Sequence, residues 1–405
     1  MQLAIDYGLK HASVQMPADK LRRLLRPGVA EPVADVPTAL RTALESPHDY
    51  PPLRQSLTPD DHLAIVVDER LTDLAAMIGA ILDHVTAAGV APDAVTIVHP
   101  KSSIERPWVD AIPDRFGGVR VEGHDPAQRR GLAYLATTRS GRRIYLNRTV
   151  VEADQVIVLS ELRFDAAHGY VGPADFVYPA LSDSETQHNW EKALTMAAPG
   201  AEPWPLRREA EEVLWLLGAP FLVQVLAGAG DSVAAVIGGA AESAALGRKA
   251  LDARWRATVD RRAGLAVAAI SGDPAHAETA DVARAMTCAA RVVAPGGVIA
   301  VLTDVRTEFG QGLSSAGEYA GPAAALAALQ SHPPPDYATA FQWLRTVDKN
   351  RVYVMSQWPD DDAEALFVTP LVDNAELQRL VDAAASCVIL PDAHRLIVSV
   401  TDEDS

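Results

Sequence analysis

The chain has 405 residues, 48% hydrophobic and 22% charged, a globular composition long enough to bury the cores of two or three domains. Its 53 acidic and 36 basic residues give a net charge of -17, which argues against nucleic acid or an anionic membrane as partner and leaves room for a small anion held by a local Arg or Lys. The only two cysteines, Cys288 and Cys387, sit in apolar contexts, so neither a disulfide framework nor a Cys-based zinc site is expected, and a reducing cytoplasm fits.

The first residues, MQLAIDYGLKHASV, do not read as a signal peptide. Residues 62–67 (HLAIVV) follow a polar turn and predict a buried parallel strand. Residues 71–89 have helical periodicity and end at Gly89. Further strands are predicted at 94–98 and 156–159. Strand, helix, strand at this spacing implies βαβ units. Residues 221–237 read as strand-rich, and 241–259 as a helix. The stretch 218–241 comes nearest to membrane-spanning length but is broken by Gln224, Asp231 and Ser232. A second α/β series follows: strands at 265–270, 297–302, 351–355 and 387–390, helices at 278–293 and 376–385, and a last edge strand at 396–400. The expected architecture is two α/β domains, 1–260 and 261–405, with a cleft between them.

In open α/β sheets ligands bind beyond the carboxyl ends of strands. The polar residues there are Asp68-Glu69-Arg70, His99-Pro100-Lys101, residues 161–168, Ser271-Gly272-Asp273-Pro274 and Asp304-Val305-Arg306. His99 is the sharpest single candidate, as a general base near neutral pH; a loop histidine bonded to backbone is the plainer reading. His168 and His188 could join it as bases or metal ligands, although their spacing matches no local metal motif. Trp343 by itself reads as core. A full GxGxxG opening a helix after a strand is absent.

One block is more specific. His124-Asp125-Pro126, then Leu146-Asn147-Arg148, then Glu152-Ala153-Asp154, an apolar strand and His168-Gly169-Tyr170 follow in that order. This resembles the nickel-dependent lactate racemase family, and the resemblance extends over essentially the whole chain. Tyr7-Gly8 and Pro17 look like the family's opening. Asp68 matches a strand-end aspartate, with the family's arginine displaced to Arg70. A loop histidine falls on His99. Gly169-Tyr170, Gly172 and Pro179 keep the frame, in which a family histidine falls on Asp165 and a lysine on Asp175. His188 lies nearest the downstream family histidine. In the second domain a family glutamine and lysine become Asp281 and Arg284, and Trp343 falls near an active-site tryptophan.

The resemblance implies racemisation or epimerisation of a 2-hydroxy acid or related polyol acid by a nickel-pincer nucleotide. That group takes hydride from the α carbon while histidines handle the hydroxyl proton. An aspartate at 175 cannot form the linkage that a lysine amine makes, so the cofactor would be untethered. The roles implied are His99 and His168 as bases with Asp165 at a base position, and His188 as metal ligand. Arg70, Arg284 and Trp343 would face the substrate, and Asp68, Gly172, Asp175 and Asp281 the cofactor. The alternative keeps the fold and loses nickel: a protein that binds a small acid or nucleotide, or does other acid–base chemistry with Asp165, Asp175 and His99. Arg284 is expected to grip a carboxylate from the second domain; pairing with Asp281 is its bland alternative.

Overall fold

The computed structural model describes residues 1–25, 28, 31–100, 107–196 and 205–401. Two six-stranded sheets carry it. The first runs Val233–Gly239, Phe221–Ala227, Gln155–Glu161, Leu63–Val67, Val95–Pro100, Arg120–His124 across the sheet, parallel except for the antiparallel outer pair Val233–Gly239 and Phe221–Ala227. The second is all parallel: Thr369–Pro370, Arg351–Met355, Val293–Leu302, Ala263–Ala269, Cys387–Leu390, Leu21–Leu24. Fully apolar strands such as Leu63–Val67 are buried along their whole length because helices cover both faces. The sequence therefore anticipates these central strands as unbroken apolar runs.

The expected division at residue 260 needs one correction. Leu21–Leu24 is the outermost strand of the second sheet, and the hairpin Gln2–Tyr7 with Lys10–Gln15 packs Leu3, Ile5, Ala12 and Val14 onto that sheet's core. Residues 1–25 thus belong with the second unit. Gly8 makes the docking possible. Its N–H donates to Ile270 O at 2.7 Å, its φ is +52°, and a Cβ there would meet Asp304 Cβ. Two smaller differences follow from length. The helix expected over 241–259 ends at Trp255, and Arg256–Val259 forms a strand parallel to Ile397–Val400. That last strand is therefore paired in a separate ribbon and is not an edge of the main sheet. Across the junction Leu162, Phe164 and Leu226 of the first unit join the core of the second.

Candidate functional site

Each sheet has one switch point, where the chain leaves a strand toward one side and later returns on the other. In the first sheet it lies between Leu63–Val67 and Gln155–Glu161; in the second, between Ala263–Ala269 and Cys387–Leu390. A crevice opens beyond the carboxyl ends of the strands at such a point. The two crevices face each other and enclose a cavity of about 60 Å³. Arg70, Glu161 and Arg163 line it from the first unit, and Ser271, Arg284 and His394 from the second. A water needs ~10–15 Å³ of such space, so the cavity has room for a small acid such as lactate.

Most of its charges are already spoken for. Asp68, buried, accepts from Arg70 N at 3.2 Å and Arg70 Nε at 3.3 Å, and Arg70 Nη1 reaches Glu278 at 3.8 Å. Burial opposes the Arg70 charge, but Asp68 and Glu278 outweigh it and raise the pKa. Asp281 closes a capping box at the start of helix Thr279–Val292, accepting from Glu278 N at 2.8 Å. It also accepts from Arg284, whose other terminal nitrogen lies 3.7 Å from Asp165. Arg284 lines the cavity, yet two carboxylates neutralise it. Its pairing with Asp281, the bland alternative, is what forms.

Arg163 differs. It lines the cavity, and among the described residues no hydrogen bond engages its guanidinium; Nε and Nη1 are buried without a partner. The nearest carboxylate, Asp68, is 3.6 Å from Nη1. Burial, then repulsion from Arg70 and Arg284, lowers its pKa. A buried cation whose donors are unpaired is a candidate contact for an anion, although Asp68 and Glu161 already offset part of its charge. The sequence reading passed over Arg163. Its signal was its place two residues past the strand-end Glu161.

Asp165 sits between the two units. It accepts from Ala167 N at 2.8 Å, His168 N at 3.1 Å, and Gln342 Nε2 at 3.2 and 3.3 Å, and it faces His168 Nδ1 at 3.3 Å. Burial works against its charge, but His168 and Arg284 hold its carboxyl well below the usual range. His168 also lies 3.8 Å from Glu191. Burial alone would lower its pKa; the two carboxylates raise it to about 9. At neutral pH His168 carries a proton, so it is placed as a donor and not as the base expected. It opens onto a second, larger cavity of about 650 Å³, which also touches Arg163, Asp175 and His188.

Residues 7–202 match the lactate racemase N-terminal domain. That segment of the chain therefore carries a lactate racemase N-terminal domain. The lactate racemase apoprotein from Thermoanaerobacterium thermosaccharolyticum superposes with a TM-score of 0.81 at 17% identity, over 98% of this chain and 100% of that one. A structural-genomics protein from Thermotoga maritima gives 0.64 at 13% identity, over 90% and 97%. At these identities the likeness is one of fold. No curated protein matches the chain.

For a lactate-racemase-like protein the position expected to tether a nickel-pincer nucleotide is occupied in an unusual way. The Asp175 carboxylate accepts from Gly172 N at 2.8 Å and pairs with Arg207 Nη1 at 2.8 Å. Arg207 is buried and also donates to the carbonyls of His168 and Tyr170. Asp175 and Gly172 thus cap helix Pro173–Val177 and lock it to helix Pro205–Leu216. His188 lines the larger cavity, but among the described residues no group of three or more His, Cys, Asp or Glu is placed to hold a metal. The residues present do not fit a tethered nickel group.

Three other expectations change. His99 is fully buried. Its Nδ1 faces Glu69 at 3.2 Å and Pro100 O at 2.7 Å, and its ring meets Trp108 edge-on at 6.1 Å. It is absent from the described lining of both cavities, so His99 and His168 do not share one cleft wall. Lys101 lies outside the described residues. Trp343 is also fully buried: its Nε1 donates to Leu366 O at 2.9 Å and its ring packs on Phe309 and Trp358. It is core, and its neighbour Gln342 faces Asp165 instead. In the most specific sequence block, His124 bonds Ser182 O at 2.9 Å, and Asn147 caps helix Arg148–Glu152 while donating to Glu122. Asn147 is scaffold there, whereas His124, Asp125 and Pro126 also line the larger cavity.

Proposed function

We propose that this lactate-racemase-like chain is an isomerase of a small 2-hydroxy acid, binding the acid's carboxylate in the cavity between the two sheets. The observation that carries this reading is Arg163, a buried guanidinium without a hydrogen-bond partner among the described residues, on the wall of a cavity with room for a small acid. A guanidinium grips a carboxylate through two parallel hydrogen bonds, and an anion there would relieve the repulsion from Arg70 and Arg284. His168, kept protonated by Asp165 and Glu191, stands on the far side of Arg163 as a proton donor. The two unpaired, buried cysteines suit a cytoplasmic setting.

A nickel-pincer nucleotide held without a tether is the second reading. His188 and His168 on the larger cavity favour it.

Chiral chromatography of D- and L-lactate and a panel of longer 2-hydroxy acids, incubated with the protein, tests the isomerase. Protein made with and without the nickel-pincer biosynthetic enzymes separates the two readings. Inversion by both preparations supports the chain's own chemistry; inversion only by the cofactor-supplied one supports the second. No inversion of any acid by either removes the isomerase. In calorimetric titration, Arg163→Met should weaken acid binding at least about thirtyfold, as loss of a buried charged contact costs ~2–5 kcal/mol. Unchanged affinity would remove Arg163 as the anchor.

A further inference from the structure

Once Arg163 holds the carboxylate, the groups around the rest of the acid decide which acids stay. Most polar walls of the cavity are already satisfied. Asp281 accepts from Glu278 N and Arg284, Asp231 accepts from Asp273 N, Asp273 accepts from Ala275 N, and Ser271 donates to Asp392. Two groups stand apart. Glu161 ends the switch-point strand of the first sheet, lines the cavity, and has no hydrogen bond to its carboxylate among the described residues. His394 follows the switch-point strand of the second sheet. It is 9% exposed, lines the same cavity, and its Nδ1 is sealed in without a partner.

The state of the ring matters. Burial, then the Arg395 guanidinium beside it, lowers the His394 pKa to about 4, against the pull of Asp281 and Asp392. The ring is neutral at physiological pH and offers one N–H and one lone pair. Glu161 offers only acceptors.

We propose that Glu161 and His394, one from each sheet, hold the 2-hydroxyl of the bound acid and make the cavity selective for 2-hydroxy acids over 2-oxo and unsubstituted acids. This rests on the anion-site reading above. A hydroxyl both donates and accepts, so it gives its hydrogen to the Glu161 carboxylate and accepts from the His394 ring. A 2-oxo oxygen has no hydrogen to give, and its lone pairs face the carboxylate. An unsubstituted acid leaves both groups desolvated and unpaired. Sites built to hydrogen-bond a hydroxyl reject analogues lacking it by factors of up to ~10⁴–10⁵. A wall with two such contacts should discriminate at least about tenfold.

The test is calorimetric titration of the full chain with lactate (each enantiomer), pyruvate and propionate, on wild type, Glu161→Gln and His394→Leu. The expected result is that wild type prefers one or both lactates at least tenfold. Glu161→Gln, whose amide can donate to an oxo oxygen, should bring pyruvate level with lactate, while loss of the negative charge beside the bound anion tightens propionate as well. His394→Leu should lower lactate affinity about tenfold and tighten propionate, which no longer leaves the ring unpaired. Equal wild-type affinity for all the acids overturns the selectivity while leaving the anion site standing. Binding of none overturns both. A lactate preference that survives in Glu161→Gln overturns the assignment even where His394→Leu fails to fold.

Discussion

Replacing Asp165 tests whether the charges between the two units form one network. Its carboxylate accepts from two backbone N–H groups and Gln342, faces Arg284 at 3.7 Å and holds the His168 proton. Asp165→Ala strands those donors and removes one of the two carboxylates neutralising Arg284. Breaking a buried pair by removing one partner costs ~3–5 kcal/mol. Each kcal/mol lowers the melting temperature by roughly 2–4 °C in domains of comparable size. A drop of about 10 °C is expected for Ala, and about half that for Asn, which keeps an acceptor for the backbone donors. The pH profile gives an independent readout. His168 titrates near 9 when folded against 6.5 in the ordinary case. A raised pKa stabilises fully below 6.5, and that stability drains away as pH rises through 9, about 3 kcal/mol in all. Thermal melts from pH 6 to pH 10 should show this descending limb in wild type and a flattened one in Asp165→Asn. An Ala variant melting within about 2 °C of wild type, or an Asn variant with the wild-type limb, would refute the network.

Other substitutions separate scaffold from site. Arg207→Ala should lower the guanidinium unfolding free energy by ~2–4 kcal/mol, because the largely buried Asp175 is then left without its cation; a change under about 1 kcal/mol would mean the pair is solvent-screened. His99→Ala should lower the melting temperature by several degrees, since it empties a fully buried site against Trp108 and withdraws one partner of Glu69; an unchanged melt with lost turnover would restore His99 as a base. Trp343→Phe should cost about 1–3 kcal/mol through the unmatched Leu366 carbonyl and lost volume. It should leave acid affinity within about twofold, as a core residue must; a larger affinity loss by titration would return it to the site.

Central strands such as Leu63–Val67 and Cys387–Leu390 could be read from the sequence because a strand covered on both faces must be apolar throughout. The strand Leu21–Leu24 could not. It is short, carries Arg22 and Arg23, and earns its place only through a partner at the other end of the chain. In the site, Asp68 and Arg70 follow from the rule about strand ends, while Asp281 and Arg284 follow from the family resemblance of their helix. Trp343 fails by one residue: a single step along a helix turns the side chain by about 100°, from core to cleft, and Gln342 is the one that faces Asp165. His394 lies on a loop where no periodicity operates, and its significance comes from the fold bringing it to the same cavity as Glu161.

The placement of residues 1–25 has a kinetic consequence. Leu21–Leu24 pairs with Cys387–Leu390, so the strand that leaves the ribosome early has no template until almost all of the described chain has followed. In the interval its hairpin exposes Leu3, Ile5, Val14 and Met16, which are buried only against the second sheet. The first sheet draws none of its strands from residues 1–25 or from beyond residue 239, and so can close meanwhile. The second must wait for both ends of the chain to meet, a closure over a long loop. Assembly is thereby ordered from the middle outward, and the cavity, which needs Ser271 and His394 together with Glu161, is the last thing to exist.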